Sequence, residues 1–153
     1  MFREGLRPPD PFRERDPLET ARTQDDMSLK TLSELAPVLV VCLPELSGGW
    51  CRRMLADLAA QRAAIEESGT RLVLVHMAGD ADAALRPHDL SYVARIADPR
   101  RKLYRRFGLD ERPRLLRAPE QLPGVFRLED GEVRAKLEAE RRPDYRSLLP
   151  GPG

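Results

Sequence analysis

The sequence predicts an α/β domain built on a mixed sheet, parallel at its centre and closed by an antiparallel hairpin. Three observations carry that prediction. Val38–Leu43 and Arg71–Met77 are apolar, β-branched-rich runs, and Cys51–Glu67, free of Gly and Pro, lies between them. Strand, helix and strand within about 40 residues make a right-handed crossover with parallel strands. Further on, Asp130-Gly131 separates two short strand-like runs, which is the strong local signal for a hairpin.

Taken in order, residues 1–26 hold four of the fourteen prolines (Pro8, Pro9, Pro11 and Pro17), seven acids, five arginines and few large apolar side chains. Such a stretch buries too little surface to offset its ordering entropy, so it reads as a mobile or loosely docked arm. Ser28–Leu35 fits either a short turn and strand or a single helical turn. The folded body, residues 27–149, centres on Val38–Leu43, whose continuous apolarity marks a strand buried on both faces. Apolar residues at 51, 54, 55, 58, 59 and 65 then fall on one helical face, and Gly69 is placed to end that helix.

After the second strand, residues 80–90 predict a short helix broken at Pro87, and Val93–Ile96 a short strand. Pro99–Phe107 reads as a helix capped by Asp98, with Pro99 in its first position and Gly108 just past its end. Residues 109–121 lack periodicity and read as a loop. Gly124–Glu129 and Glu132–Leu137 form the hairpin, 142–149 a closing helix and 150–153 a tail. A parallel β-α-β unit followed by a hairpin that a proline precedes is the plan of a thioredoxin-like domain.

Composition excludes several function classes. The chain has 153 residues, 41% hydrophobic and 33% charged, which fits one soluble domain and leaves no room for a second. No apolar run approaches the roughly 18–20 residues that span a bilayer. The N-terminal stretch, charged and proline-broken, does not read as a secretory signal, so a cytoplasmic location is expected. Two cysteines cannot make a disulfide framework, two histidines argue against zinc, and neither metal nor cofactor is expected. With 26 basic residues against 25 acidic ones, no global attraction to nucleic acid or membrane follows.

Cys51 is the chief candidate for chemistry. It stands in the first turn of a predicted helix after a glycine turn, where unpaired backbone N–H groups and the macrodipole favour the thiolate. Arg52 and Arg53 add positive field. The competing explanation is a small apolar side chain opening an amphipathic helix. Cys42, inside the first strand and nine residues earlier, is expected to pack in the core; a resolving role requires it to face the loop after Pro44. Pro123 opens a hairpin strand, either as a trans strand-initiating residue or, in a thioredoxin-like fold, as a cis proline facing the redox helix. His76 reads as a satisfied core histidine, and His88 lies in a polar loop with no role. Residues 100–117 carry eight basic groups and two acids, which read as a solvated face.

From Pro37 to about Leu149 the chain resembles the peroxiredoxin-like branch of the alkyl hydroperoxide reductase/thiol-specific antioxidant family. The strings are PVLVVCL leading to SGGWCRRML, then GTRLVLVHM, ADPRRKLYRRFGLD, QLPGVFRLEDGEV and ERRPDYRSLL. In that register Cys51 matches the second cysteine of a CxxC motif and Gly48 occupies the place of the first. Against the peroxiredoxin pattern PxxxTxxC, Pro44 and Cys51 match, Gly48 replaces the hydroxyl residue, and Ser47 is one position off. The arginine that the family places before the later strand is replaced by Gln-Leu-Pro-Gly, leaving Arg52 or Arg127 as substitutes.

The resemblance implies a one-cysteine thiol oxidoreductase. Cys51 would react with a hydroperoxide or a protein thiol, an external thiol would reduce it, and Pro44, Gly48, Trp50, Arg52 and Pro123 would shape the pocket. A homodimer is compatible with it. The alternative is a degenerate redoxin, without the dithiol, kept as a non-catalytic binding or scaffold module.

Overall fold

The computed structural model describes residues 15–150 apart from 110, 116 and 139–144. A five-stranded mixed sheet organises them, in the order β3-β2-β1-β6-β7. β1 (Val38–Glu45) and β2 (Arg71–Ala78) are its parallel centre, with Val38 opposite Arg71 and Leu43 opposite His76. β3 (Ala94–Ala97) extends the parallel half. β6 (Gly124–Glu129) pairs antiparallel with β1, and β7 (Glu132–Glu138) pairs with β6 through a turn in which Asp130 and Gly131 both have positive φ. The expected mixed α/β architecture is therefore the observed one.

The continuous apolarity of β1 follows from its central position. Six consecutive residues, Val38 to Leu43, are buried because each face of the sheet carries its own core. On one face Leu39, Val41 and Leu43 pack with Cys51, Met54, Leu55 and Leu58 of α3 (Gly49–Ala60). On the other, Val38, Val40 and Cys42 pack with Tyr104, Phe107 and Phe126, whose phenyl rings stack at 4.4 Å. Period-two alternation along β1 thus sends Cys42 and the strand neighbours of Cys51 to opposite sides.

Several expectations are sharpened or corrected. Of the arm expected to be mobile or loosely docked, the described part, residues 15–26, is docked on the body. α1 (Pro17–Thr20) buries Leu18, Asp16 caps it by accepting from the Leu18 N–H, and Arg106 pairs with Asp16 at 3.0 Å. Gln24 also accepts from the Arg95 N–H at 2.8 Å and donates to the Val93 carbonyl at 3.4 Å, covering the edge beside β3. A single buried leucine and these polar contacts supply what composition did not reveal. Residues 1–14 lie outside the described ones.

Ser28–Leu35 resolves to a helix, α2 (Leu29–Leu35), with Ser28 as its N-cap. The single helix expected over 51–67 starts earlier, at Gly49, and is interrupted at Gln61, so that α4 (Arg62–Glu67) follows as a separate piece. Residues 80–90 form α5 (Ala81–Leu85) and a 3-10 turn, Arg86–His88. The helix expected from Pro99 is shorter, α6 (Lys102–Arg106). Asp98 still caps it, from farther back, accepting from the N–H groups of Lys102 and Leu103 across an Arg101 held at positive φ.

The stretch 109–121, expected as a loop, is a second two-stranded sheet of β4 (Glu111–Arg114) and β5 (Arg117–Gln121). Its prolines and arginines hide it from pattern analysis because no apolar alternation accompanies the pairing. The closing segment is a 3-10 turn, Tyr145–Leu148; residues 142–144 of the expected helix lie outside the described ones, as do 151–153 of the tail. No helix among the described residues is long and apolar enough to cross a membrane.

Candidate active site

β1 delivers the chain to the site. Pro44, half-buried near the strand's end, precedes Glu45, and a turn of Leu46, Ser47 and Gly48 leads into α3. Gly48 stands at the N-cap with φ of +100°, a conformation that L side chains rarely adopt, and it offers no side-chain cap. Open space surrounds its Cα, so backbone conformation rather than crowding is what favours glycine there. A cysteine at this position, as a CxxC motif would require, needs a different turn.

Cys51 occupies the third position of α3, near the positive end of the helix. Its surroundings oppose that field. The residue is 2% exposed and packs within the cluster of Leu43, Met54 and Leu55, with Trp50 half-buried against the same cluster. Burial pushes the thiol up to about 11, Arg52 pulls it back down, and Glu45 pushes it up again. In this conformation Cys51 is protonated at neutral pH, with about one thiolate in ten thousand.

Beside this turn opens a cleft of about 620 Å³, lined among others by Ser47, Gly48, Arg52, Asp80 and His88. Gly48, Arg52 and Leu55 are spaced by four and three residues and present one side of α3 to it. Cys51 is one step around the helix and does not line it. Of the expected pocket residues, Gly48 and Arg52 therefore face the cleft. Pro44, Trp50 and Pro123 do not line it.

Pro123 is half-buried and precedes Gly124, which pairs with Cys42. Its peptide bond is trans, the strand-initiating of the two alternatives, since no described bond is cis. A Cβ at Gly124 would lie 2.6 Å from Leu109 Cδ2, so a larger residue there requires the Leu109 side chain to shift. Arg127 is directed elsewhere: its Nη1 donates to the Leu148 carbonyl at 2.9 Å, its Nε is 3.3 Å from Glu129, and it lies opposite Leu39 at the far end of β1. Of the two substitute arginines, Arg52 is the one whose charge reaches Cys51.

Cys42 is fully buried, and burial holds its thiol well above the ordinary range. It belongs to the cluster on the opposite face from Cys51, so a disulfide between them requires crossing the sheet. His76 is buried, as expected, yet its Nδ1 has no hydrogen-bond partner; burial lowers its pKa. The satisfied-core expectation is corrected in that respect. His88, given no role by sequence, lines the cleft, as do Asp80 and Glu45. Nothing local marks these three: Glu45 ends β1, Asp80 caps α5 and His88 lies in the 3-10 turn that follows it. Among the described residues no cluster of histidine, cysteine and carboxylates could hold a metal.

Comparison with known proteins bears on the fold. No protein-family model matches the chain, and no curated protein matches its sequence. Among solved structures, peroxiredoxin Q of Xanthomonas campestris superposes with a TM-score of 0.72 at 13% identity, over 86% of this chain and 87% of that one. Peroxidoxin BcpB from Mycobacterium tuberculosis gives 0.67 at 14% identity, over 83% and 84%. A Xylella fastidiosa PrxQ variant gives 0.72 at 8% identity, over 88% and 87%. The structural neighbours are peroxiredoxins, and the likeness is one of fold.

Proposed function

We propose that this protein is a peroxiredoxin-like thiol oxidoreductase that reduces hydroperoxides through Cys51 and is restored by an external thiol. One placement carries the reading: a cysteine in the first turn of α3, at the C-terminal edge of β1, next to Arg52 and the cleft. The Cys51 thiolate attacks one peroxide oxygen, the O–O bond breaks, and the other oxygen leaves as alcohol or water after taking a proton. Sulfur is left as a sulfenic acid. A first external thiol condenses with it to a mixed disulfide, releasing water, and a second frees Cys51 and departs as the oxidised disulfide.

Because the resting thiol is sealed and held near 11, attack requires the turn Gly48–Trp50 to open. Opening exposes Cys51 to water and to Arg52, and both effects lower its pKa. The glycine pair Gly48-Gly49, with no side-chain cap, leaves this turn with little to hold it shut. A second reading, a redoxin fold kept as a non-catalytic module, is favoured by that same high pKa and by Gly48 in place of a first cysteine.

Peroxide turnover with dithiothreitol in native and Cys51→Ser protein separates the two. Turnover that is lost in the variant, with a sulfenic acid trapped on native Cys51, is the expected result. Turnover unchanged in Cys51→Ser overturns the assignment. A thiol that stays near 11 in solution and forms no sulfenic acid under peroxide establishes the module instead.

A further inference from the structure

We propose that His88 is the general acid of this reaction: it gives a proton to the leaving oxygen as Cys51 breaks the peroxide O–O bond. This role rests on Cys51 being the nucleophile and supplies the proton donor that the reaction still lacks. Gly48 and Arg52 line one side of the cleft from the start of α3. The 3-10 turn Arg86–His88 packs against α3 and brings His88 to the same space. Its imidazole is half-buried and makes no hydrogen bond or ion pair with another described residue, so both ring nitrogens are left for a ligand. Gly48 also belongs to the turn whose opening frees Cys51, which lets the sulfur meet a peroxide held between Arg52 and His88.

Chemistry singles His88 out among the polar groups there. Much of the remaining lining is carbon, from Leu46, Leu55, Ala83, Ala84 and Pro87, and solvates an alkoxide poorly. Ionised carboxylates such as Glu45 and Asp80 only accept, and Asp80 Oδ1 already accepts from the Ala83 N–H at 3.2 Å. A hydroxyl such as Ser47 and a guanidinium such as Arg52 donate hydrogen bonds without giving up a proton near neutrality. Histidine is the side chain that both holds and releases one between about pH 5 and 8. The step balances: the thiolate sulfur bonds to one oxygen, the O–O electron pair leaves with the other, and an imidazolium N–H supplies that oxygen's proton. Sulfenic acid, alcohol and neutral imidazole result, and water reprotonates the ring.

The test follows sulfenic acid formation on Cys51 in a single turnover without thiol, using tert-butyl hydroperoxide and peroxyacetic acid. The first must release tert-butoxide, which needs a proton; the second releases acetate, which does not. Trp50, the sequence's only tryptophan, stands next to Cys51 and supplies the fluorescence signal. His88→Gln should slow oxidation by tert-butyl hydroperoxide about a hundredfold and by peroxyacetic acid less than about threefold. Imidazole added to His88→Ala should restore much of the loss. Arg86→Gln, in the same turn but exposed and outside the cleft, should react as the native chain does. An unchanged tert-butyl hydroperoxide rate in His88→Gln overturns the proposal, as do equal losses with both peroxides or the absence of imidazole rescue. Native protein that forms no sulfenic acid with either peroxide overturns instead the Cys51 reading on which it rests.

Discussion

The two cysteines lie on opposite faces of one sheet, and both are buried, yet the structure around them differs. Cys42 sits mid-strand among Val40, Val75, Tyr104 and Phe126, with ladder pairs on both sides, to Val75 and to Gly124. Tyr104 adds a buried hydrogen bond to the Val75 carbonyl at 3.2 Å. Cys51 is as well covered, but its cover is a helix end that starts from two glycines beside an open cleft. Exposing Cys42 means taking the sheet apart, whereas exposing Cys51 means loosening one turn. Equal burial therefore does not mean equal reactivity; what counts is the free energy of the opening that reaches each thiol.

The largest effect expected from this contrast is on stability. Phe126→Ala removes the ring stacked on Phe107 in the sealed face and should cost about 3–5 kcal/mol in urea unfolding. A loss near that of a surface substitution would show that this face is not the rigid one. Next comes thiol alkylation of the native protein. Cys51 should react at least about a hundredfold faster than Cys42, because local opening lies well below global unfolding. Equal rates would erase the distinction between the faces.

Smallest is the alkaline response. The folded pKa of Cys51 lies above its unfolded value, from 9.0 to about 11, so its contribution is complete below pH 9 and is lost as pH rises towards 11. That amounts to about 3 kcal/mol, and Cys42 adds a loss in the same direction. Cys51→Ala should flatten part of the decline in denaturant midpoint above pH 9. A profile identical to that of the native chain would mean that Cys51 is not desolvated in solution.

Legibility varied with how far each feature depends on neighbours in sequence. β1, β2, the Asp130-Gly131 turn and the helical face of Met54, Leu55 and Leu58 were all readable, since each is a local pattern of apolar spacing or turn chemistry. The β4–β5 hairpin was missed because arginines and prolines alternate there instead of apolar residues. α1 was missed because one leucine, Leu18, finds a core that α2, α6 and the β-strands supply together. At the site, Cys51, Gly48 and Arg52 were visible as one short string. Asp80 and His88 were not, since their meeting with Arg52 is a product of the crossover.

Sequence alone determined the α/β class, the parallel crossover, the closing hairpin and the position of Cys51 in the first turn of a helix. These follow from periodicities and turn residues that act over a few positions. Tertiary structure decided whether that thiol is poised or sealed. Macrodipole and Arg52 favour the thiolate, and both are legible locally. Leu43, Leu55 and Met54 close over the sulfur only after β1 and α3 pack together, and desolvation is the larger influence. It was packing, too, that placed the two cysteines on opposite faces, because the pleat of β1 and the docking of α3 together fix which side each one meets.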